Sequence, residues 1–214
     1  MKHSDLLQLA STLLADVGAA ALHSRIRLLT PGLRLVGRAL TVQVPVGDNL
    51  AIHAALSVAQ PGDVLVVDGG GYGERALMGG IMMTQAHATG VAGVVIDGAM
   101  RDTQELQTLG LPAFAAAVHP AGPFKSGPGR VHGPVQCGGV VVHDGDWILG
   151  DDDGVVVIPP HQLGVLVQAA LAKQQRESDR MQAIAQGALR PDWLDAALAA
   201  GKVEFLPRDQ ASAT

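Results

Sequence analysis

Hydrophobic residues recur with a helical period at the start of the chain and with strand-like spacing soon afterwards. Four leucines fall on one stripe: Leu6, Leu9, Leu13 and Leu14. This stripe predicts a helix over the first 25 residues. Alternating and β-branched residues over 33–46 predict a strand, and residues 49–60 predict a short helix that ends at a Pro-Gly-Asp turn.

Two continuous apolar runs follow, at 64–68 and 91–97, and each is typical of a strand that is covered on both faces. A Gly-rich turn and a helix reaching about Gly90 are predicted between them. A second helix is predicted over 102–110, with Asp102 or Thr103 as its N-cap. The order β-α-β-α over this stretch predicts an α/β core with adjacent parallel strands.

The rest of the chain has a different character. Residues 119–160 are rich in Gly and Pro and predict strands joined by tight turns. From about residue 160 the pattern is helical to Ala200, with a break at Gly187 and Pro191. We therefore expect an α/β domain over 1–160 and a helical C-terminal extension over 161–214, which packs on a neighbouring subunit.

Composition narrows the class of protein. Nearly half of the residues are apolar and the net charge is −5, with no basic stripe, which disfavours a nucleic-acid partner. A single cysteine, Cys137, fits a reducing compartment. No apolar stretch approaches the roughly 20 residues that span a bilayer, and the first residues do not read as a signal peptide. The sequence predicts a cytoplasmic protein with no membrane partner.

The Gly-rich turn after the first apolar run is the first site-like feature. Glycines after a strand can leave backbone N–H groups free to bind an anion at a helix N-terminus. The segment 71–76 fits the loose pattern G-x-G-x-x-A of NAD-binding proteins, and also the glycine loop of enzymes that bind S-adenosylmethionine. The glycines also fit a purely structural turn, which would let a helix pack closely on a strand.

Arg101 and Asp102 follow the second apolar run directly, where open α/β sheets bind ligands. Arginine binds a carboxylate with two parallel hydrogen bonds, and aspartate offers a hard oxygen ligand to Mg²⁺ or Mn²⁺. A surface ion pair at a helix start, with Asp102 as its N-cap, is the alternative interpretation.

Three blocks taken together resemble the RraA-like family: PGDVLVVDGGG, GVAGVVIDGAMRD and GDDDGVVVIP. The resemblance implies a swivelling β/β/α-type fold, assembled as a homotrimer or hexamer with sites between subunits. It also implies a metal-dependent lyase that cleaves 4-hydroxy-4-methyl-2-oxoglutarate or decarboxylates oxaloacetate through a pyruvate enolate. The family also contains a non-catalytic regulator of ribonuclease E, which is the alternative function.

The family's aldolase motif is an Asp, twenty residues, and then Arg-Asp. By that resemblance Asp102 is the direct ligand of Mg²⁺ or Mn²⁺, and Arg101 holds the carboxylate of a 2-oxo acid. Gly80 stands where the first Asp is expected. Glu74, placed on the same predicted helix, or Asp68 would have to replace that carboxylate.

The resemblance assigns further residues to the site. The backbone of Gly80, Ile81 and Met82 corresponds to the pyruvate-binding turn. Asn49 and His53, four apart on one helix face, are expected to face the site, and Glu177 is expected to act across a subunit boundary. Ordinary surface positions explain His53 and Glu177 as well. Cys137 and the turn at Asp151–Asp153 are interpreted as structural.

Overall fold

The computed structural model describes residues 6–206, which form a mixed β-sheet with helices and a small hairpin. The strands are β1 (Ala20–Ala21), β2 (Arg27–Leu28), β3 (Leu35–Gln43), β4 (Asp63–Met78), β5 (Gly93–Met100), β6 (Ala113–Val118), β7 (Arg130–Val131), β8 (Val135–Cys137), β9 (Val140–Val142), β10 (Trp147–Asp151) and β11 (Gly154–Ile158). The helices are α1 (Ser11–Asp16), α2 (Leu50–Val58), α3 (Gly80–Ala88), α4 (Thr103–Leu109), α5 (Leu163–Ala185) and α6 (Leu194–Ala199).

The main sheet has the strand order β1-β11-β10-β3-β4-β5-β6-β2, with β7 also paired to β3. Strands β3, β4, β5 and β6 run parallel, and the outer strands are antiparallel to their neighbours. Parallel strands need crossover connections, and helices α2, α3 and α4 supply them in turn. The helices therefore all start at the edge where the parallel strands end.

The central strands are buried on both faces, as the continuous apolar runs predict. In β4, Leu65 and Val67 pack with the buried residues of α2, α3 and α4. Val64 and Val66, which alternate with them, pack on the opposite face with the β8–β9 hairpin. The layers are helices, sheet and hairpin, and this arrangement confirms the predicted α/β fold.

The first structural correction concerns the N-terminal helix. Residues 1–5 lie outside the described part of the chain, and α1 extends only over Ser11–Asp16. Gly18, with φ at +112°, follows the helix, and the chain then enters β1. The four leucines of the predicted stripe are nevertheless all buried.

The second correction concerns the Gly-rich run, which does not form a turn that opens a helix. The chain stays in β4 from Asp63 to Met78, and its pairing with β5 shifts register three times after Asp68. Gly70 and Gly71 have φ near +70°, a conformation that glycine adopts without steric cost. Because the helix begins only at Gly80, the run lacks the strand–turn–helix geometry on which the NAD and S-adenosylmethionine interpretations depend.

The chain divides into two compact units, one ending at Lys173 and the other beginning at Gln174. In the first unit the start of α5 buries an apolar stripe: Leu163, Leu166, Val167 and Ala170. In the second unit α5 ends at Ala185, and α6 begins after the predicted break. No helix among the described residues is long and apolar enough to cross a membrane.

Candidate active site

The candidate site lies where the parallel strands end. Met78 closes β4 and Met100 closes β5, and the two residues are paired across the sheet. The segments that follow them, Gly79–Gly80 and Arg101–Asp102, are therefore neighbours in space. This pairing explains the spacing of about twenty residues, which is the length of one helix and one return strand.

A pocket of about 120 Å³ opens at this edge. Its lining residues come from the end of β4 and from the segments that follow all four parallel strands: Asn49, His53, Ala76, Leu77, Met78, Gly79, Ile81, Met82, Arg101, Asp102, Pro123 and Lys125. The structure thus brings together six residues that the sequence predicted for the site: Asn49, His53, Ile81, Met82, Arg101 and Asp102.

Asp102 occupies the N-cap position of α4 without capping that helix by its side chain. Its carboxylate turns instead to the neighbouring helix, where Oδ2 accepts a hydrogen bond of 2.9 Å from the backbone N–H of Gly80. Its backbone is left-handed, with φ at +61°, an uncommon conformation for a residue with a side chain. The carboxylate is thereby held at the positive N-terminus of α3.

Arg101 lies beside this carboxylate, with Nε 3.5 Å from Oδ2 of Asp102. Both side chains are more than a third exposed, so the pair lies at the pocket surface. The backbone of Arg101 is fixed by a hydrogen bond of 3.1 Å from its N–H to the carbonyl of Met78. The guanidinium carries further N–H donors that could bind an anion entering the pocket.

Glycine at positions 79 and 80 lets these side chains approach the start of α3. A Cβ on Gly79 would lie 2.4 Å from Oδ2 of Asp102, which is too close for any side chain. A Cβ on Gly80 would lie only 1.9 Å from Oε2 of Glu105. The carboxylate of Glu105 therefore fills the space that a side chain at position 80 would take.

Glu105 is a candidate that the sequence interpretation missed. It lies three residues after Asp102, in the first turn of α4, and this short spacing between two carboxylates at a predicted helix start was the local signal. The two carboxylates considered earlier lie elsewhere. Glu74 is on β4 and not on a helix, with Oε2 3.7 Å from His119 Nε2. Asp68 accepts hydrogen bonds from the N–H groups of Gly70 and Gln136.

Helix α2 contributes two polar atoms that lack a hydrogen-bond partner among the described residues: Asn49 Oδ1 and His53 Nε2, both inaccessible to solvent. The amide of Asn49 is oriented by Nδ2, which donates to the carbonyl of Leu77 at 3.0 Å and also contacts Met82 Sδ at 3.0 Å. Buried polar atoms are rarely left unpaired. These two mark the part of the pocket where a polar ligand would be accommodated.

Lys125 also lines the pocket, and the sequence analysis did not single it out. It belongs to the loop of residues 121–127 after β6, which we name the Lys125 loop. With Arg101, it gives the pocket two cationic side chains. The surroundings therefore complement a ligand that carries more than one negative charge.

The remaining predicted residues have simpler surroundings. Ile81 is 86% exposed at the start of α3, whereas Met82 is buried against Asn49. Glu177 lies exposed on α5 in the second unit, and its role across a subunit boundary stays a prediction. Cys137 is fully buried, and burial raises the pKa of its thiol, so it fills space as expected.

Ligands of α/β proteins commonly bind in a pocket at the ends of the parallel strands, and two cations with a carboxylate would suit a small anionic molecule there. The chain belongs to the RraA-like family, since the Aldolase/RraA family model matches residues 9–157. Three relatives place it within that family.

A protein of Halalkalibacterium halodurans, assigned to 4-hydroxy-4-methyl-2-oxoglutarate aldolase by its name, is 41% identical over 80% of this chain and 82% of its own. The 4-hydroxy-4-methyl-2-oxoglutarate aldolase of Thermus thermophilus is 39% identical over 62% of this chain and 80% of its own. The structure of RraAS2 from Streptomyces coelicolor, described as an unusual member of the RNase ES inhibitor RraA family, has a TM-score of 0.72. It is 30% identical and covers 84% of this chain and 96% of its own.

Proposed function

We propose that this protein is a divalent-metal-dependent carbon–carbon lyase that releases pyruvate from substrates of the 4-hydroxy-4-methyl-2-oxoglutarate type. Oxaloacetate decarboxylation is proposed as a second activity of the same site. The observation that carries the proposal is the grouping of Asp102, Arg101 and Glu105 around the start of α3. The names of the aldolase relatives supply the substrate class.

The two cations of the pocket match the two carboxylates of such a substrate. Arg101, next to Asp102, is assigned to the carboxylate beside the 2-oxo group, because a guanidinium can bind both of its oxygens. Lys125, which also lines the pocket, is assigned to the distal carboxylate. Asn49 and His53 are assigned to the oxygen atoms that lie between the two ends.

The reaction breaks the bond between C3 and C4 of the substrate. The proton of the 4-hydroxyl group leaves, C4 becomes a ketone, and the electron pair of the broken bond forms the enolate of pyruvate. Protonation at C3 then completes pyruvate, so both halves of 4-hydroxy-4-methyl-2-oxoglutarate become pyruvate. We assign the proton transfers to the Glu105 carboxylate, acting directly or through one water molecule.

The described residues fit a metal that keeps much of its water shell. Among them, no three His, Cys, Asp or Glu side chains group closely enough to enclose an ion. Mg²⁺ commonly binds through one or two carboxylates plus water and substrate oxygens, and Asp102 would provide the carboxylate while Glu105 stays free for proton transfer. The chemistry supplied at such a site is Lewis-acid polarisation of the 2-oxo group.

The test is a pyruvate-release assay on the purified chain after treatment with EDTA. Pyruvate is followed through lactate dehydrogenase and NADH, with Mg²⁺ or Mn²⁺ added back. We expect release from 4-hydroxy-4-methyl-2-oxoglutarate only with added metal. A metal-only blank is subtracted for oxaloacetate, which free metal ions also decarboxylate. No release above the blank with either substrate would reject the proposal.

The alternative is a regulatory protein that binds another macromolecule without catalysis. Its support is the RraAS2 structure, whose name describes an inhibitor family. The two functions differ in what the pocket does. Two results together would favour the regulatory function. The chain would lack lyase activity with both metals, and Asp102→Ala would leave its binding to the macromolecular partner unchanged.

A ring assembly, trimeric or hexameric, is part of the proposal. Glu177 lies exposed on α5, and we propose that it acts across the boundary to a neighbouring copy. Light scattering after size-exclusion chromatography gives the oligomeric state. We expect Glu177→Gln to lower turnover while the assembly stays intact, and an unchanged rate would remove Glu177 from the mechanism.

A further inference from the structure

The Lys125 loop is attached to β4 along its first half. The carbonyl of Ala121 accepts a hydrogen bond of 2.8 Å from the N–H of Ala76. The carbonyl of Gly122 accepts one of 2.6 Å from Arg75 Nη1. The same guanidinium lies 4.1 Å from the centre of the Phe124 ring, a cation–π contact. Arg75 therefore fixes the loop immediately before Lys125.

Asp48 attaches the second half of the loop to the start of α2. Its Oδ2 accepts hydrogen bonds from the N–H groups of Ser126, at 2.5 Å, and Gly127, at 3.1 Å. Its Oδ1 accepts one of 2.9 Å from the N–H of Leu50, in the first turn of α2. One carboxylate thus joins the loop that carries Lys125 to the helix that carries His53.

The Asp48 carboxylate is 3% exposed, so its charge has to be stabilised by these contacts. Burial alone would raise its pKa, but the N–H groups of Leu50, Ser126 and Gly127 outweigh burial and lower the pKa below its ordinary value. The group is ionised at neutral pH, and its hydrogen bonds to the loop are charge-assisted.

We infer that Asp48 is a positioning residue for substrate binding, and that it acts through Lys125. Asp48 holds the Lys125 loop against the start of α2, and Arg75 holds it on β4, so that Lys125 lines the same pocket as Asn49 and His53. The neighbouring backbone is joined in the same way, since Asn49 N–H donates to the Phe124 carbonyl at 3.0 Å. The inference rests on the proposed function for its ligand, a dicarboxylate.

A double-mutant cycle tests the link between the two residues. Asp48→Asn keeps the shape of the side chain, but an amide cannot accept on both sides, so one attachment is lost. We expect Asp48→Asn and Lys125→Ala each to raise KM for 4-hydroxy-4-methyl-2-oxoglutarate about tenfold, with a smaller effect on kcat. The double variant should resemble Lys125→Ala alone. If the two single-variant effects on KM multiply in the double variant, Asp48 does not act through Lys125, and the inference is overturned.

Asp146→Asn is the matched control, because Asp146 is also a buried carboxylate that accepts a backbone N–H, from His143 at 2.9 Å. It lies in the turn before β10 and is not part of the pocket. We expect it to lower Tm to a similar extent without changing KM. If it raises KM as much as Asp48→Asn does, the effect of Asp48 is only structural.

Hydrogen exchange gives a readout that does not depend on catalysis. In Asp48→Asn, the amides of Ser126 and Gly127 should exchange faster while those of β5 stay protected. Unchanged protection would overturn the inference even if the protein released no pyruvate. If Asp48→Asn does not fold, Arg75→Met replaces it in the cycle, because it releases the loop while leaving Asp48 intact. We expect Arg75→Met to raise KM in the wild-type background but not in the Lys125→Ala background. An equal rise in both backgrounds would count against the inference.

Discussion

Two glycine-containing segments follow one another in β4 and just after it, and they differ in what their glycines make possible. The run Gly69–Gly73 has the more conspicuous sequence, yet its glycines allow the register shifts of a strand. The pair Gly79–Gly80 is inconspicuous, yet the carboxylates of Asp102 and Glu105 lie where its side chains would be. A glycine shows that something approaches the backbone closely, and only the tertiary structure shows what approaches.

The contacts of the first segment are structural. A Cβ on Gly69 would lie 2.8 Å from the carbonyl oxygen of Asp97, so that glycine serves backbone packing. Nearby, Asp97 is 4% exposed and is bound by Arg25 through hydrogen bonds of 2.7 and 2.9 Å. A buried carboxylate that is fully paired in this way has little capacity left for a ligand. The two carboxylates beside the second segment are exposed: Asp102 lines the candidate pocket, and Glu105 lies next to it on the surface that Gly80 and Thr84 also line.

The largest expected effect on turnover comes from removing the carboxylate of Asp102, which lies nearest to Gly79. Asp102→Ala should lower metal-dependent pyruvate release at least about a hundredfold, since several kcal/mol of charge stabilisation are lost with a metal ligand. Loss of the hydrogen bond to Gly80 should cost only about 1 kcal/mol of folding free energy. Turnover and Mn²⁺ binding, followed by electron paramagnetic resonance, are the measurements.

Glu74→Ala is the matched control from the Gly-rich segment, because Glu74 is an exposed carboxylate whose described partner is His119. It should leave turnover and Mn²⁺ binding unchanged. If Glu74→Ala and Asp102→Ala lost turnover and Mn²⁺ binding to the same extent, the two segments would not differ in function.

The second prediction exchanges one carboxylate for another. Glu105→Ala should lower turnover by about a hundredfold, the usual contribution of a general acid or base. Gly80→Asp in that variant should recover part of the loss, since the new side chain would enter the space that Glu105 has left. In the wild-type background Gly80→Asp should help less, because its Cβ would lie 1.9 Å from Glu105 Oε2 and the exposed Glu105 side chain would have to move away first. Full activity of Glu105→Ala would reject this role for Glu105.

The smallest effect is expected from the Gly-rich run. Gly71 has φ at +70°, and a Cβ there would meet nothing closer than Arg25 Nη2 at 3.5 Å. Gly71→Ala should therefore cost about 1 kcal/mol of stability through backbone strain alone and leave KM unchanged. Urea unfolding gives the stability, with Gly133→Ala as the control, because Gly133 has open space around it. A large change in KM would mean that the run contributes to the site.

The sequence predicted the fold where local pattern and tertiary burial agree. The apolar runs that became β4 and β5 are buried on both faces, and the Arg-Asp pair lies at the predicted strand end. The Gly-rich run was predicted as a turn but is part of β4, because a run of glycines is compatible with both an irregular strand and a turn. Glu105 and Lys125 were missed because each is significant only through a partner distant in sequence, Gly80 in one case and the pocket wall in the other.

The hydrogen bond between Asp102 and Gly80 also has a consequence for the order of folding. It joins residues 22 positions apart, and they meet only after β4 and β5 have paired with α3 between them. Local contacts form early in folding, and contacts across a crossover wait for the loop between them to close. The candidate site therefore cannot exist in an isolated β4–α3 segment, and its appearance during refolding would report that the parallel core of the sheet is complete.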